Sequence, residues 1–232
     1  GLLGFGRRGT EIHSAVFRQL LQLSGGQGER HKVASTYTNL GLVERALGNA
    51  EKAKKRFNKA LEIDPNHVEA LKGMALLLED REDWSNLLNI YNNIIYHATV
   101  ADDVIDAYMT KGRVLDDYMS RPDKAAQHYQ RSLDFKPDQP LALLRLAELA
   151  MRRDAYQEAG DLASKGMKIR DLEPNVQALL QLCQAAARKD AHKDDAAITL
   201  LAEASAALEN VPDGLLDDLE ALRQLIKDRL PR

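Results

Sequence analysis

Residues 34–65, ASTYTNLGLVERALGNAEKAKKRFNKALEIDP, constrain the chain more than any other stretch. They read as two amphipathic helices joined by one glycine turn. Tyr37, Leu40 and Gly41 share a face of the first helix. Gly48 ends it, because a helix stop favours the residue that takes positive φ without strain. Ala53, Phe57 and Ala60 recur at spacings of four and three, which places them on one face of the second helix. Asp64-Pro65 stops that helix, since the residue before proline is pushed out of the α region. Gly41, Ala53 and Ala60 are small enough to let two helix backbones approach, and Tyr37 and Phe57 fill the gaps that remain. One hairpin cannot bury such a face alone, so the unit predicts neighbours of its own kind.

Those neighbours follow in the sequence. A second unit starts at Asn66, where Asn66 and Glu69 are spaced as a capping box. Leu71, Met74, Ala75 and Leu78 mark its first helix; Leu87, Tyr91 and Ile94 mark its second. Leu87 and Ile94 stand where the first unit has alanines, which predicts a wider crossing. Trp84 and Tyr156 are expected to pack under turns. After a longer acidic connector, a third unit starts near Val104 with Tyr108, Gly112 and Leu115, then Ala125, Tyr129, Ser132 and Pro137. Pro122 falls in the first turn of its second helix, where the missing N–H costs nothing. The spacing from Gly112 to Ala125 is one residue longer than from Gly41 to Ala53, which predicts a bulge. A fourth unit carries Leu143, Leu146, Ala147 and Ala150, an Asp154–Gln157 cap, and Ala159, Ala163 and Gly166. A fifth carries Leu179, Leu182, Cys183 and Ala186, then Ala197, Leu201 and Ala204 after a charged turn.

With Tyr37, Leu40, Gly41, Ala53, Phe57, Ala60 and Pro65 in its slots, the unit resembles the tetratricopeptide repeat (TPR) family. Glu44 departs from the pattern, where an aromatic residue is usual. The resemblance covers residues 29–209. It implies an all-α, right-handed α-solenoid of about five stacked helix-turn-helix repeats. Residues 1–28 read as a glycine-rich tail with a flanking helix from Thr10, striped by Ile12, Val16, Leu20 and Leu23. Residues 210–232 read as a C-terminal capping helix with Leu215, Leu219, Leu222 and Ile226 on one face. The rival reading of that last helix is a docking or dimerisation element.

Composition supports a folded helical chain and argues against several activities. Hydrophobic residues make up 44% and charged residues 29%, which suits a folded protein rather than a disordered one. The net charge is -3 and basic residues alternate with acids, so no phosphate-binding footprint is visible and no nucleic-acid partner is expected. Cys183 is the single cysteine, which removes disulfide frameworks and cysteine-rich metal sites and fits a reducing, cytoplasmic compartment. No apolar run reaches the roughly 20 residues of a membrane helix, so no membrane insertion is expected. The chain opens on Gly1 rather than methionine, so it is read as part of a longer polypeptide or assembly, an export signal being among what the missing part can have carried.

Enzymatic signatures are missing or incomplete. The histidines, at 13, 31, 67, 97, 128 and 192, have no partner three or four residues away on one helix, so no metal site is expected. There is no G-x-S-x-G elbow, and Cys183 sits in a small packing slot as an inert thiol. Residues 4–9, GFGRRG, spell G-x-G-x-x-G, but no preceding strand or βαβ unit accompanies them. Residues 23–27, LSGGQ, look like the signature motif of ABC-type ATPases, yet the phosphate-cradling G-x-x-x-x-G-K-[ST] loop is lacking. These two motifs carry the alternative reading, a nucleotide-responsive regulatory domain. The leading reading is non-enzymatic, without cofactor.

Function then follows from shape. TPR proteins bind extended peptides or helices of other proteins in a groove lined by the first helix of each repeat. Carried over by pattern, the groove positions are Thr38, Leu42 and Arg45; Lys72, Leu76 and Glu79; Met109, Arg113 and Asp116; and Leu144, Glu148 and Met151. Their apolar centre with charged flanks suits a peptide or amphipathic helix. A lysine–asparagine clamp, which some family members use on acidic chaperone tails, is replaced here by Thr38 and Leu42. The expectation is a protein–protein interaction scaffold or adaptor, with dimerisation through the C-terminal helix as a further alternative.

Overall fold

The computed structural model describes residues 26–190, 199, 200, 203 and 204. Among them are nine α-helices and no strand. In chain order these are α1 (Gln27–Ala46), α2 (Ala50–Ile63), α3 (Val68–Glu79), α4 (Trp84–His97), α5 (Ala101–Arg113), α6 (Pro122–Phe135), α7 (Pro140–Arg152), α8 (Tyr156–Gly166) and α9 (Pro174–Asp190). The chain divides into two compact units, one ending at Asp103 and the other starting at Val104, within the first turn of α5. The flanking helices expected near either terminus, most of the fifth hairpin's second helix, and residues 4–9 lie outside the described residues.

In the first unit α1 pairs with α2, α3 with α4, α2 packs on α3, and α1 lies beside α3. First helices therefore neighbour first helices, as stacking of like hairpins requires. Phe57 shows why. Its ring is fully buried, and it occupies the space left by Gly41 of α1 and Gly73 of α3. A Cβ placed on Gly41 would lie 2.5 Å from Phe57 Cε1, and one on Gly73 would lie closer still. Ala53, Met74 and Leu77 complete this core, with Ala50, Leu78 and Ile90 packed at its edge. Leu87 and Ile94, at the slots of Ala53 and Ala60, are buried as well.

The second unit repeats the scheme, with α6 on α7, α7 on α8, α8 on α9 and α9 beside α7. Tyr129 of α6 fills the place that Gly112 of α5 leaves open, as Phe57 does with Gly41. A core of Leu144, Ala147, Met151, Ala159, Ala163, Leu180, Leu182 and Cys183 joins α7, α8 and α9, and Ala204 belongs to it.

A left-handed residue closes the first helix of four successive hairpins: Gly48 (φ 76°), Glu82 (56°), Ser120 (51°) and Asp154 (60°). Only the first is glycine, so three turns carry a conformation that non-glycine residues adopt at some cost. The extra residue between Gly112 and Ala125 is absorbed where α5 continues into a π-helical turn, Val114–Tyr118, rather than in a looser loop. Pro122 opens α6 in its first turn, as the sequence predicts.

Two predicted caps are corrected. The residue that caps α3 is His67, not Asn66, and its side chain makes no cap hydrogen bond; the Asn66 N–H is instead donated to Asp64 Oδ1 at 3.2 Å. Ala155 precedes α8, again without a side-chain cap. Asp154 takes the left-handed turn and accepts the Tyr156 hydroxyl at 2.6 Å. At Asp154 the short polar side chain is used by the turn itself, and at Asn66 the backbone N–H that Glu69 would have accepted is held by Asp64, so each competes with the cap.

Candidate functional site: the first-helix face of each unit

In the first unit, Leu42 of α1 and Leu76 of α3 occupy the same register one repeat apart. Both remain open to solvent, at 41% and 36% exposure, although large apolar side chains favour burial. Charged pairs flank them. Arg45 Nε and Nη2 donate to Asp80 Oδ2 and Oδ1, both at 2.9 Å, in a bidentate pair that ties α1 to the end of α3. The hydrogen bond to Arg45 holds the Asp80 carboxyl below its ordinary range. Lys72 donates to Asp103, the last residue of this unit. Glu79 is half-buried beside this pair of helices. Thr38 does not join them: it is buried, and its hydroxyl donates to the Ala34 carbonyl at 2.9 Å one turn back.

In the second unit the corresponding positions are mostly closed. Leu144 and Met151 are each 2% exposed and belong to the core, so their side chains are spent on packing α7 against α8 and α9. Asp116 is buried and paired with Arg152. Glu148 is half-buried and accepts from Arg145 at 3.1 Å. Met109 Sδ accepts from Ser132 Oγ at 3.3 Å. The Arg113 guanidinium lies 5.8 Å from the centre of the Tyr118 ring. An open cleft of about 630 Å³ does occur in this unit, lined by α6 residues such as Gln127 and Arg131 and by Arg152, Arg153 and Glu158. Its polar lining holds no nucleophile paired with a base.

Cys183 is fully buried, and burial pushes its thiol up out of the reactive range. His128 is neutral at pH 7, because burial, with Lys111 nearby, lowers its pKa to about 4.

One cluster was not visible in the sequence. His31 of α1, Asp64 at the end of α2 and His67 at the start of α3 bring one ligand atom each within 4.8 Å of the others. Counting along a single helix misses it, because these residues belong to three elements. The available signal is the repeat length itself: residues separated by about one repeat become lateral neighbours. The ion pairs obey the same rule, with Arg45–Asp80 separated by 35 residues, Lys72–Asp103 by 31 and Arg152–Asp116 by 36.

A family model described as "Tetratricopeptide repeat" matches residues 34–67, the hairpin whose geometry is given above. Residues 34–67 thus form a tetratricopeptide repeat. The chain is 27% identical over 162 residues to the type IV pilus assembly protein PilF of Pseudomonas aeruginosa, spanning 56% of this chain and 64% of that one. It is 30% identical over 100 residues to the TPR repeat-containing protein MJ0263 of Methanocaldococcus jannaschii, spanning 42% of this chain and 31% of that one. The matched stretch thus spans less than two thirds of either relative. Among solved structures, the fold is similar to YrrB, a TPR protein with an unusual peptide-binding site (TM-score 0.62, 15% identity, 91% of this chain and 97% of that one). It is similar to Pseudomonas aeruginosa PilF (TM-score 0.63, 17% identity, 97% and 93%). A third is MamA (TM-score 0.60, 18% identity, 77% and 93%). At these identities the likeness is one of fold. TPR folds serve as protein-interaction scaffolds, and no described helix is long and apolar enough to cross a membrane.

Proposed function

We propose that this protein is a non-catalytic scaffold that holds a peptide or amphipathic helix of a partner protein against the first-helix face of the first unit. The observation that carries the proposal is the pair Leu42 and Leu76: two large apolar side chains in register, exposed, and fenced by the Arg45–Asp80 and Lys72–Asp103 pairs. An apolar pair between charges is what an amphipathic segment meets with its own apolar stripe and polar edges. Arg45 and Lys72 keep exposed surface to steer an acidic flank of such a segment. The peptide-binding site named for YrrB and the assembly role named for PilF support the same class of activity. The face formed by Leu42, Arg45, Lys72, Leu76 and Glu79 is the part of the groove we assign to the partner.

The test is a double substitution, Leu42→Glu with Leu76→Glu, compared with Lys55→Glu on an exposed position of α2. Proteins retained from native extract by the wild-type chain are quantified by mass spectrometry. The retained partner's binding segment is then titrated by fluorescence polarisation. The double variant should lose retention and weaken the direct titration at least ~10-fold, on the order of 1.4 kcal/mol, with unchanged helicity. Equal binding by wild type and double variant would refute the assignment.

A further inference from the structure

We propose that His31, Asp64 and His67 form a zinc-type metal site at the joint between the first and second hairpins. His67 carries the argument. Its residue is 2% exposed, and neither ring nitrogen has a hydrogen-bond partner. Nδ1 lies 3.2 Å from a Glu69 carboxylate oxygen but without the geometry of a hydrogen bond. A buried imidazole with both nitrogens unsatisfied is costly unless something else occupies them. Around it stand the groups that would share a cation. The His31 ring lies edge-on at 4.7 Å between centroids, and His31 Nδ1 is 3.3 Å from Asp64 Oδ2. The other Asp64 oxygen is oriented by the Asn66 N–H, as the outer partner of a metal-binding carboxylate is.

Two imidazoles and one carboxylate are a donor set that Zn²⁺ takes, with water in the open position. Bonds near 2.0–2.1 Å set tetrahedral ligand atoms roughly 3.3 Å apart. The observed separations, up to 4.8 Å, therefore need a contraction of about 1.5 Å, which is rotamer scale. His31 supplies it: its side chain is 59% exposed and free to swing towards Asp64 and His67. The site would clasp the start of α1, the end of α2 and the start of α3, three elements that otherwise meet here through small residues such as Ala34, Ala60 and Ala70. This inference does not depend on the partner-binding reading.

The experiment uses the untagged, chelator-treated 232-residue chain titrated with Zn²⁺ by calorimetry and with Co²⁺ by visible absorption. The wild type should take up one saturating equivalent, with a rise of several degrees in melting temperature. His31→Ala, at an exposed position, and the near-isosteric Asp64→Asn, at a half-buried one, should each weaken uptake at least ~10-fold and abolish the thermal shift. His97→Ala, remote from the cluster in sequence, should behave as wild type. Chemical shifts of the His31 and His67 rings should move with added zinc. No saturable uptake by the wild type, or undiminished uptake in both variants, would overturn the site.

Discussion

Replacing Gly41 by alanine pits a local gain against a tertiary cost. Mid-helix, Gly→Ala ordinarily stabilises by about 1 kcal/mol, because alanine loses less backbone freedom. Here the new methyl would stand 2.5, 2.7 and 3.0 Å from Cε1, Cδ1 and Cζ of Phe57, where ordinary contact begins at 3.4 Å. The ring must retreat by about 1 Å to restore normal contact. Gly73 limits that retreat, since α3 approaches the same Cδ1–Cε1–Cζ edge of the ring as closely. Overpacking of a tight core costs about 1–3 kcal/mol, and a ring edge crowded by two helices at once falls in the upper half of that range. Subtracting the helix-propensity gain leaves Gly41→Ala destabilising by about 1–2 kcal/mol. Urea unfolding followed by the fluorescence of Trp84, the single tryptophan and a residue of the first unit, reads this directly. Gly28→Ala in the same helix is the control, because its methyl would meet nothing within 4 Å, and it should be neutral or mildly stabilising. In the background Phe57→Leu, Gly41→Ala should lose most of its penalty. A Gly41→Ala midpoint at or above wild type, or full additivity with Phe57→Leu, would refute the picture of a ring wedged between two glycine-lined helices.

Two further outcomes follow from buried titratable groups. Cys183 should resist an aromatic disulfide reagent at pH 8 in the folded protein and react fully in denaturant, since its thiol is buried and held protonated; prompt reaction of the native chain would contradict this burial. His128 binds its proton at about pH 4 when folded and near pH 6.5 when unfolded, so the unfolded state holds more protons between those values. Stability should therefore fall as pH drops from about 6.5 towards 4, less so in His128→Phe. The His128 ring resonance should titrate well below the ordinary histidine range, and a midpoint near 6.5 would show the ring to be solvated.

The hairpin pattern was legible because a helix face repeats along one element. Ala53, Phe57 and Ala60, spaced four and three apart, are all fully buried, and their counterparts Ala125, Tyr129 and Ser132 follow them. The groove residues were less legible. Projecting one repeat's register onto the next treats all first helices as equally exposed, yet Leu42 stays open while Leu144 is enclosed by α8 and α9. The predicted bulge after Gly112 was correct in place, but the backbone absorbed the extra residue as a π-helical turn because α5 could continue rather than break. The Asn66–Glu69 cap failed because Asp64 took the Asn66 N–H first.

The sequence by itself determined the helices, their turns and most of the faces they bury, since each depends on residues within a few positions of one another; Leu40, read onto the packing face, is instead 44% exposed. Only the tertiary structure decided which residues one repeat apart stand together. Arg45 found Asp80, and His31 found Asp64 and His67, through stacking that places successive hairpins side by side. That stacking is set by how closely Gly41 and Gly73 let two helices approach Phe57, a distance in space that no spacing along the chain records.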